Sequence, residues 1–498
     1  MRVEPSLLLT GRLESPFAAL GNGHVKIVCG LKEIRRSAGG ARGGACKGGG
    51  EREGVPVSEG HARRRAAAPG VRDEQTAVVL GALSPTARRI LTAAFRVLER
   101  DGYEGLSLRR IAAEAGETRS LIAYHFENKA GLVATLVDSL WHDADVRLEH
   151  EVKALVADPR GRLFALTGLH LRLARQSGLY RTYFDLLPHI LRDDDARSRL
   201  TRTYRSYRRI GELCLAPAVG ERADPLALAT LLLAAGEGLG VQVLLDGDDR
   251  VAVAAFALLE RQVVAHLGLG RPPAGSAPPA SATGPVTAGG EDAFLRGLPD
   301  PTVGLVPAAG RVLRAALALL NDEGPQALTA EMLAARSGEP PSSVFYYFGD
   351  KHGLLAAVLA AGEQRLGQAI LRAARPVVAR SPGPVAVADL TAKLFAQQGW
   401  MRTFFNSFPL TQRDAELHRI EADFTHFLRD SLAAYLRRSG VPEADLMPLS
   451  WLCLGLMYGL AIQRLVDRNG TPVAETIETW RALLAQSAAA AGEPSSTA

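Results

Sequence analysis

The chain has 498 residues, which is too many for one hydrophobic core, so two to four domains are expected. Its composition, 47% hydrophobic and 22% charged with a mean hydropathy of +0.03, is ordinary for a globular protein and excludes a chain made mainly of membrane spans. The net charge of +5 does not by itself indicate a nucleic-acid partner. Residues 1–80 contain 13 basic and 8 acidic residues, a balance of +5, so the rest of the chain is neutral overall.

The cysteines and the apolar runs favour a cytoplasmic protein without a membrane span. Four cysteines lie far apart without a CxxC pair, namely Cys29, Cys46, Cys214 and Cys453. This spacing predicts neither disulfides nor a zinc site and fits a reducing compartment. The uncharged apolar run 446–463 contains a proline and polar residues, so we expect a buried helix there. The N-terminus lacks the pattern of a secretory signal.

Two segments are predicted to lie outside folded domains. Residues 1–80 are rich in Gly, Arg and Ala and are expected to be a disordered arm, or alternatively a basic arm that adds nonspecific phosphate contacts. Residues 268–302 are rich in Pro, Gly, Ala and Ser and are predicted to be a linker, and 491–498 a disordered tail.

The first folded block begins with three short predicted helices. Ser84 before a proline is an N-cap signal, and the helix that follows is expected to end at Gly102. A second helix is predicted over 108–115, followed by a turn at Gly116 and a third helix from Thr118 to His125. A helix, a short glycine turn and a second helix form the helix-turn-helix pattern.

The same pattern occurs a second time. Residues 85–133 align with 307–355 without a gap, and 19 of the 49 positions are identical. The match continues downstream with the offset changed from 222 to 221, which indicates a duplicated domain. The second block is therefore expected to repeat the turn glycine at Gly338 and a helix from Ser342 to Tyr347. The remaining Ala/Leu-rich segments have helical spacing, so the predicted fold class is all-α.

Both blocks resemble the TetR family of bacterial transcriptional regulators. Each carries the run Tyr-x-Phe-x-[Asn/Asp]-Lys-x-x-Leu directly after the helix-turn-helix, at 124–132 and 346–354. The resemblance implies a three-helix DNA-binding head, a larger helical domain with a ligand pocket, and a four-helix dimer interface from the last helices of each unit, around 226–267 and 448–488. The predicted heads are 81–131 and 303–353, and the predicted larger domains are 132–267 and 354–490.

The DNA-binding residues are predicted from their place in the helix-turn-helix. N-terminal residues of the recognition helix contact base edges, and hydroxyl, imidazole and ammonium groups nearby contact phosphates. The candidates in the first head are Ser107, Thr118, Arg119, Ser120, Tyr124, His125 and Lys129. Those in the second are Thr329, Ser342, Ser343, Tyr346, Tyr347 and Lys351. The competing interpretation is that several of these side chains only pack or face solvent.

The two heads are predicted to bind DNA unequally. Residues 85–133 contain 8 Lys/Arg and 6 Asp/Glu, a balance of +2, whereas 307–355 contain 4 and 5, a balance of −1. Thr118 and Arg119 are replaced by Pro340 and Pro341, which removes N–H donors. We therefore expect the first head to supply most of the affinity, and the second to bind weakly or to contact a different half-site.

Aromatic residues at helical spacing are candidates for a ligand pocket, with ordinary core packing as the alternative. They are Trp141, Tyr180, Tyr183 and Phe184 in the first unit and Trp400, Phe404, Phe405 and Phe408 in the second. By the resemblance, a small-molecule effector would shift the protein between conformations with different affinity for DNA.

The sequence thus predicts a DNA-binding regulator, most simply a repressor, that binds double-stranded DNA at an operator that can be asymmetric. The alternative is a ligand sensor or interaction module with one or both heads degenerate. No catalytic motif or metal-ligand cluster is present in the sequence, so we expect neither an enzyme nor a cofactor. Two units in one chain favour an intramolecular pseudo-dimer, and a homodimer with four heads is the alternative.

Overall fold

The structure is a computed structural model that describes residues 83–139, 159–175, 177–220, 222–269, 305–380, 383–396 and 401–492. These residues lie in one compact unit, Leu80–Ala498. They form helices and contain no strand, which confirms the predicted all-α class. The predicted arm 1–80, most of the linker 268–302 and residues 493–498 of the predicted tail lie outside the described residues.

Half one comprises the described residues between 83 and 269. Its helices are α1 (Pro85–Gly105), α2 (Leu108–Ala115), α3 (Arg119–Phe126), α4 (described over 129–139), α5 (Pro159–Arg175), α6 (Ser177–Ile190), α7 (Asp194–Val219), α8 (Pro225–Asp246) and α9 (Arg250–Leu267). We call α1–α3 head one. The predicted stop at Gly102 is a kink within α1, where φ is 70° and ψ is −178°.

Half two comprises the described residues between 305 and 492. Its helices are α10 (Pro307–Asp322), α11 (Ala330–Ser337), α12 (Lys351–Val378), α13 (Val385–Phe395), α14 (Arg402–Thr411), α15 (Ala415–Arg438), α16 (Glu443–Val466) and α17 (Val473–Gly492), with 3₁₀ turns at Pro325–Ala327 and Tyr346–Phe348. We call residues 305–350 head two. Helix α17 extends two residues into the predicted tail.

The two halves pack against each other through their last helices. Helix α8 contacts α16 along its length, and α9 and α17 complete the four-helix bundle. Two glycines allow the backbones to touch, because a Cβ on Gly238 would overlap the carbonyl oxygen of Gly455 and a Cβ on Gly459 would overlap that of Ala234. Gly238 and Gly459 are counterparts at the offset of 221, so the bundle has a pseudo-twofold axis.

Hydrogen bonds across the bundle occur in pseudo-symmetric pairs. The Gln242 side-chain amide donates to the Trp451 carbonyl oxygen at 2.9 Å, and its counterpart Gln463 donates to the Thr230 carbonyl oxygen at 3.3 Å. Both amides are buried, so each bond satisfies groups that would otherwise be unpaired in an apolar interior.

Two buried ion pairs repeat the symmetry. Arg208 of half one binds Asp467 of half two at 2.5 Å, and Arg429 of half two binds Asp246 of half one at 2.7 Å. Both guanidinium groups are almost fully buried. Breaking such a pair leaves an uncompensated buried charge, so these contacts hold the halves in one register.

The two central helices of the bundle are apolar enough to resemble membrane spans. Helices α8 and α16 are long and apolar enough to cross a membrane by length and composition, yet 100% and 89% of their apolar windows are buried inside the protein. Their hydrophobicity is therefore accounted for by burial against each other and against neighbouring helices.

Candidate nucleic-acid interface

Head one contains a complete helix-turn-helix. The Ser107 hydroxyl caps α2 by accepting a bond from the Arg110 amide, and the Thr118 hydroxyl caps α3 by accepting one from the Leu121 amide. Gly116 ends α2 in the left-handed conformation, with φ of 65°, which allows the tight turn between the helices.

One face of α3 is exposed and the opposite face is buried. Ile122 and Phe126 pack into the head, while Arg119, Ser120 and Tyr124 face outward. The Tyr124 side chain is 80% exposed although it is aromatic, so its ring does not serve the core of the head. An exposed row of guanidinium and hydroxyl groups on this helix matches the geometry of a helix that contacts DNA bases and phosphates.

Head two keeps the frame of head one. The Arg89–Glu117 ion pair of head one, at 2.5 Å, recurs as Arg311–Glu339 at 2.5 Å. A second pair recurs with its charges exchanged, since Arg100–Glu114 at 3.1 Å corresponds in position to Asp322–Arg336 at 2.9 Å. These contacts fix the first two helices of both heads in the same arrangement.

The prediction of a recognition helix from Ser342 to Tyr347 in head two is wrong. Thr329 caps α11 and Gly338 ends it as expected, but residues 341–345 form turns and only Tyr346–Phe348 is helical, as a 3₁₀ turn. Pro341 disfavours a helical conformation at Pro340, so a helix cannot begin before residue 341. The segment instead has bonds between residues three apart, from the amides of Ser343, Tyr346 and Phe348, and Gly349 ends it with a φ of 83°.

Comparison with known proteins assigns both heads. The family model described as "Bacterial regulatory proteins, tetR family" matches residues 90–136 and again residues 312–358. The HTH-type transcriptional regulator BetI of Cronobacter sakazakii is 27% identical over 198 residues, covering 37% of this chain and 92% of that protein. This chain belongs to the TetR family. It contains two TetR units in tandem, whereas the relative corresponds in length to about one of them.

The predicted phosphate-binding residues of the TetR heads are placed unequally. Tyr346 is 78% exposed, like its counterpart Tyr124, and Ser342 and Lys351 also face solvent. His125 is half-buried, with its ring edge-on to that of Tyr124 at 5.1 Å. Ser343 and Tyr347 are likewise half-buried, and the Ser343 hydroxyl donates to the Pro340 carbonyl oxygen. Their contacts with DNA stay predictions.

Lys129 lies at the junction of head one with the larger domain. Its ammonium is 4.2 Å from the centre of the Tyr103 ring, and Tyr103 stacks on His189 of α6 at 3.4 Å. Burial lowers the pKa of Lys129, with Glu104 opposing that shift. The cation therefore contacts an aromatic face in this conformation, and phosphate binding requires it to turn outward.

The aromatic residues predicted to line a pocket instead form a contact between the halves. Phe184 of α6 stacks on Phe405 of α14 at 6.1 Å and meets Phe408 edge-on at 5.0 Å. Tyr180, Tyr183 and Phe404 are buried nearby. None of these six residues lines the cavity of about 90 Å³ in half two, and their role in ligand binding stays a prediction. Trp141 and Trp400 lie outside the described residues.

A cavity of about 90 Å³ lies within half two, between α12, α13, α15 and α16. Its walls are mainly aliphatic, with Phe427 and Tyr435 as the aromatic members. The Tyr435 hydroxyl donates to the Gly383 carbonyl oxygen at 2.8 Å, so the polar end of this side chain is already paired. Apolar walls with few polar groups are typical of small-molecule sites. Sequence analysis missed this cavity because its lining residues are ordinary core types.

Two arginines cross between the halves and contact the heads. Arg413 of half two binds buried Asp185 at 2.5 Å and donates to the Leu98 carbonyl oxygen at 3.4 Å, beside the Gly102 kink of α1. Its counterpart Arg192 of half one donates to the Asn406 side-chain oxygen at 3.3 Å, beside Gly324 of head two. We call Arg192 and Arg413 the crossed arginines. Arg192 and Arg413 align at the offset of 221, but the sequence alone does not show that each contacts the opposite half.

Proposed function

We propose that this chain is a ligand-modulated transcriptional repressor that places two unequal TetR heads on one operator without a second copy of itself. The observation that carries the proposal is the pseudo-twofold bundle of α8, α9, α16 and α17, in which both halves of the interface belong to one chain. Helix-turn-helix proteins bind two half-sites about one helical turn apart and usually obtain the second head by dimerising.

The internal interface supports one chain per operator. The backbone contacts at Gly238 and Gly459 and the buried pairs of Arg208 and Arg429 are all made within the chain. Residues that would hold a partner in a single-unit protein are therefore already used. A homodimer with four heads would need a further surface, so the intramolecular pair is the simpler arrangement.

Head one is proposed to provide most of the affinity. It has a regular recognition helix with Arg119 at its start, whereas head two has two prolines and a 3₁₀ turn at that place. Head one also has a charge balance of +2 against −1, and each additional phosphate contact strengthens binding and its dependence on salt. Two unequal heads suit an asymmetric operator.

The effector is proposed to bind a larger domain and to change the relation between the heads. The cavity of half two offers room for a compact molecule, and α12 leads directly from head two to its wall. A ligand that favours one arrangement of the heads changes operator affinity by its differential binding free energy. We infer a cytoplasmic location from the regulatory role and from the burial of both long apolar helices.

Matched variants test the unequal heads. Tyr124→Phe and Tyr346→Phe each remove one exposed hydroxyl at equivalent positions, without changing the core. Binding is measured by gel shift, over a series of salt concentrations, with DNA from upstream of the protein's own gene. A hydrogen bond to a charged phosphate contributes about 1.5–3 kcal/mol, so Tyr124→Phe is expected to weaken binding about tenfold or more. Tyr346→Phe is expected to change it less than about threefold. Equal losses would contradict the assignment.

A sensor with degenerate heads is the second candidate, and the missing recognition helix of head two favours it in part. DNase footprinting separates the two functions. Two adjacent protected patches support a two-headed repressor, and one patch indicates that head two does not bind DNA. If no DNA is protected although the protein still binds a ligand, the repressor function is contradicted and the sensor function is supported.

A further inference from the structure

Two glutamates are buried inside half two without partners. Glu363 on α12 is 4% exposed and Glu421 on α15 is fully buried. Neither oxygen of either carboxyl group has a hydrogen-bond partner among the described residues. Buried carboxyl groups are normally hydrogen-bonded or paired with a cation, so two unsatisfied groups in one domain require an explanation.

The two carboxyl groups act on each other. Burial raises the pKa of Glu421 to about 8, and burial followed by the charge of Glu421 raises the pKa of Glu363. Asp423 adds a further negative charge to the surroundings of Glu363. Two carboxylates that share a poorly solvated site cannot both ionise without a positive charge between them.

The nearby arginine does not supply that charge. Arg429 is fixed in the interface, with both terminal nitrogens on Asp246 at 2.7 and 2.9 Å and its guanidinium 4.3 Å from the Trp451 ring. It lies close enough to influence Tyr458 electrostatically, but the carboxyl groups of Glu363 and Glu421 accept no bond from it.

An aromatic residue lies close enough to both glutamates to be influenced by their charge. Tyr458 of α16 is buried, its pKa is raised by burial and by both glutamates, and its hydroxyl is 3.2 Å from that of Thr425. Phe404 of α14 stacks on Tyr458 at 4.9 Å. Aromatic faces attract cations, and the attraction is strongest where water is excluded.

The apolar cavity lies further along the same two helices, and neither glutamate is among its lining residues. Gly367, one turn beyond Glu363 on α12, and Leu428, two turns beyond Glu421 on α15, line the cavity of about 90 Å³. Met457, next to Tyr458, lines it from α16. A ligand that reached from this cavity to the carboxyl pair, about one to two helical turns away, would meet acidic groups at its charged end and aliphatic walls along its apolar body.

We propose that Glu363 and Glu421 bind the positive end of a compact organic cation whose apolar body occupies this cavity. The inference deepens the proposed function and rests on its ligand-modulated step. A divalent metal fits less well, because it prefers six or more oxygen ligands, and no group of three metal-ligating residues occurs among the described residues. Half one has Leu200 at the position of Glu421, so the expected stoichiometry is one cation per chain.

The test uses a cation and its uncharged isostere. Phenyltrimethylammonium and tert-butylbenzene have the same shape and differ in charge. Their binding to the full chain is measured by titration calorimetry in the absence of DNA. Wild type is expected to bind one phenyltrimethylammonium per chain and to bind it at least about tenfold more tightly than tert-butylbenzene. Binding of both molecules with equal affinity would overturn the proposal.

Charge-removing variants locate the site. Glu363→Gln with Glu421→Gln keeps the side-chain shape and is expected to weaken cation binding at least tenfold while leaving tert-butylbenzene binding unchanged. Glu416→Gln, exposed on the same helix α15, is the matched control and should bind like wild type. Unchanged cation binding in the double variant would contradict the site, as would glutamate-dependent binding of Mn²⁺ without binding of the organic cation.

A gel shift with and without phenyltrimethylammonium separates the two proposals. A cation that binds at the glutamates and lowers operator affinity supports both. Binding at the glutamates without any effect on DNA would uphold the site and contradict ligand modulation.

Discussion

The two heads of this protein share one frame and differ in the part that would meet DNA. Both hold their first two helices with equivalent ion pairs, Arg89–Glu117 and Arg311–Glu339. Head one then forms helix α3, whereas head two forms turns and a 3₁₀ segment. The comparison shows that the duplicated frame tolerates loss of the regular recognition helix, because the buried apolar residues Ile122 and Val344 are equivalent while Thr118 and Arg119 are replaced by Pro340 and Pro341.

The heads also differ in what holds them. The carbonyl oxygen of Leu98, beside the kink of α1, accepts a bond from Arg413 of the other half. The equivalent oxygen of Leu320 accepts one from Asn406 of its own half at 2.7 Å. Asn406 occupies the position of Asp185, so this acid-to-amide difference accompanies a change in the donor to the equivalent carbonyl oxygen, from the opposite half in head one to the same half in head two.

The largest expected loss of stability comes from removing one of the crossed arginines, and the two losses should differ. Arg413→Ala leaves the Asp185 carboxylate buried without its partner and is expected to cost about 3–5 kcal/mol of unfolding free energy. Arg192→Ala is expected to cost about 1 kcal/mol, because Asn406 keeps its bonds to α10. Urea denaturation measures both. Equal losses would show that the two attachments are equivalent.

The contact between the halves can be tested at its closest point. Gly238→Ala and Gly459→Ala place a Cβ into the facing backbone and are each expected to destabilise the protein by about 3 kcal/mol. Gly168→Ala is the control, since its Cβ would meet only the end of Arg172 at 3.5 Å and alanine favours a helix. Thermal unfolding should lower the Tm of the first two variants and not of the third. Two variants as stable as the control would contradict the packing of α8 on α16.

The turn after the recognition segment provides a smaller difference. Glu127 has a φ of 63°, the one positive value for a non-glycine residue among the described residues, and its counterpart is Gly349 with φ of 83°. Glu127→Gly is expected to stabilise head one by about 1 kcal/mol by relieving backbone strain, and Gly349→Glu to destabilise head two by a similar amount. Denaturation midpoints check the signs. A destabilised Glu127→Gly variant would show that this backbone is not strained.

The smallest expected effect concerns the exchanged ion pair. Arg100→Asp alone places an acid beside Glu114 and is expected to lower the free energy of unfolding slightly, because exposed ion pairs contribute little. Adding Glu114→Arg reproduces the Asp322–Arg336 arrangement of head two and should restore most of that loss. A double-mutant cycle measures the coupling free energy. A coupling indistinguishable from zero would mean that the pair contributes nothing.

Local signals in the sequence were sufficient for the frame of each unit. The caps at Ser84, Asn128 and Asp350 form the hydrogen bonds that their residue types predict. These features depend on three or four neighbouring residues, so a single sequence contains them. The offset of 222 also identified the duplication, because residues buried in the same frame were retained.

Sequence analysis missed the contacts that depend on distant residues. Arg413 and Asp185 are 228 residues apart, and no local pattern joins them. Lys129 packs on Tyr103 because α6 supplies His189 behind that ring. Glu363 and Glu421 are single acids on amphipathic helices, where acids usually face solvent, and only the packing of α12 on α15 buries them together. The prediction of a recognition helix in head two is wrong for a local reason, because the adjacent Pro340 and Pro341 disfavour a regular α-helix at its start.

The central claim is that one chain presents two heads to one operator. Native mass spectrometry of the protein bound to its footprinted operator tests this directly, because it counts chains per duplex. The account predicts a complex of one chain of 53.0 kDa with one duplex at concentrations near the Kd. A complex that contains two chains at all concentrations, with no species carrying one chain, would contradict it.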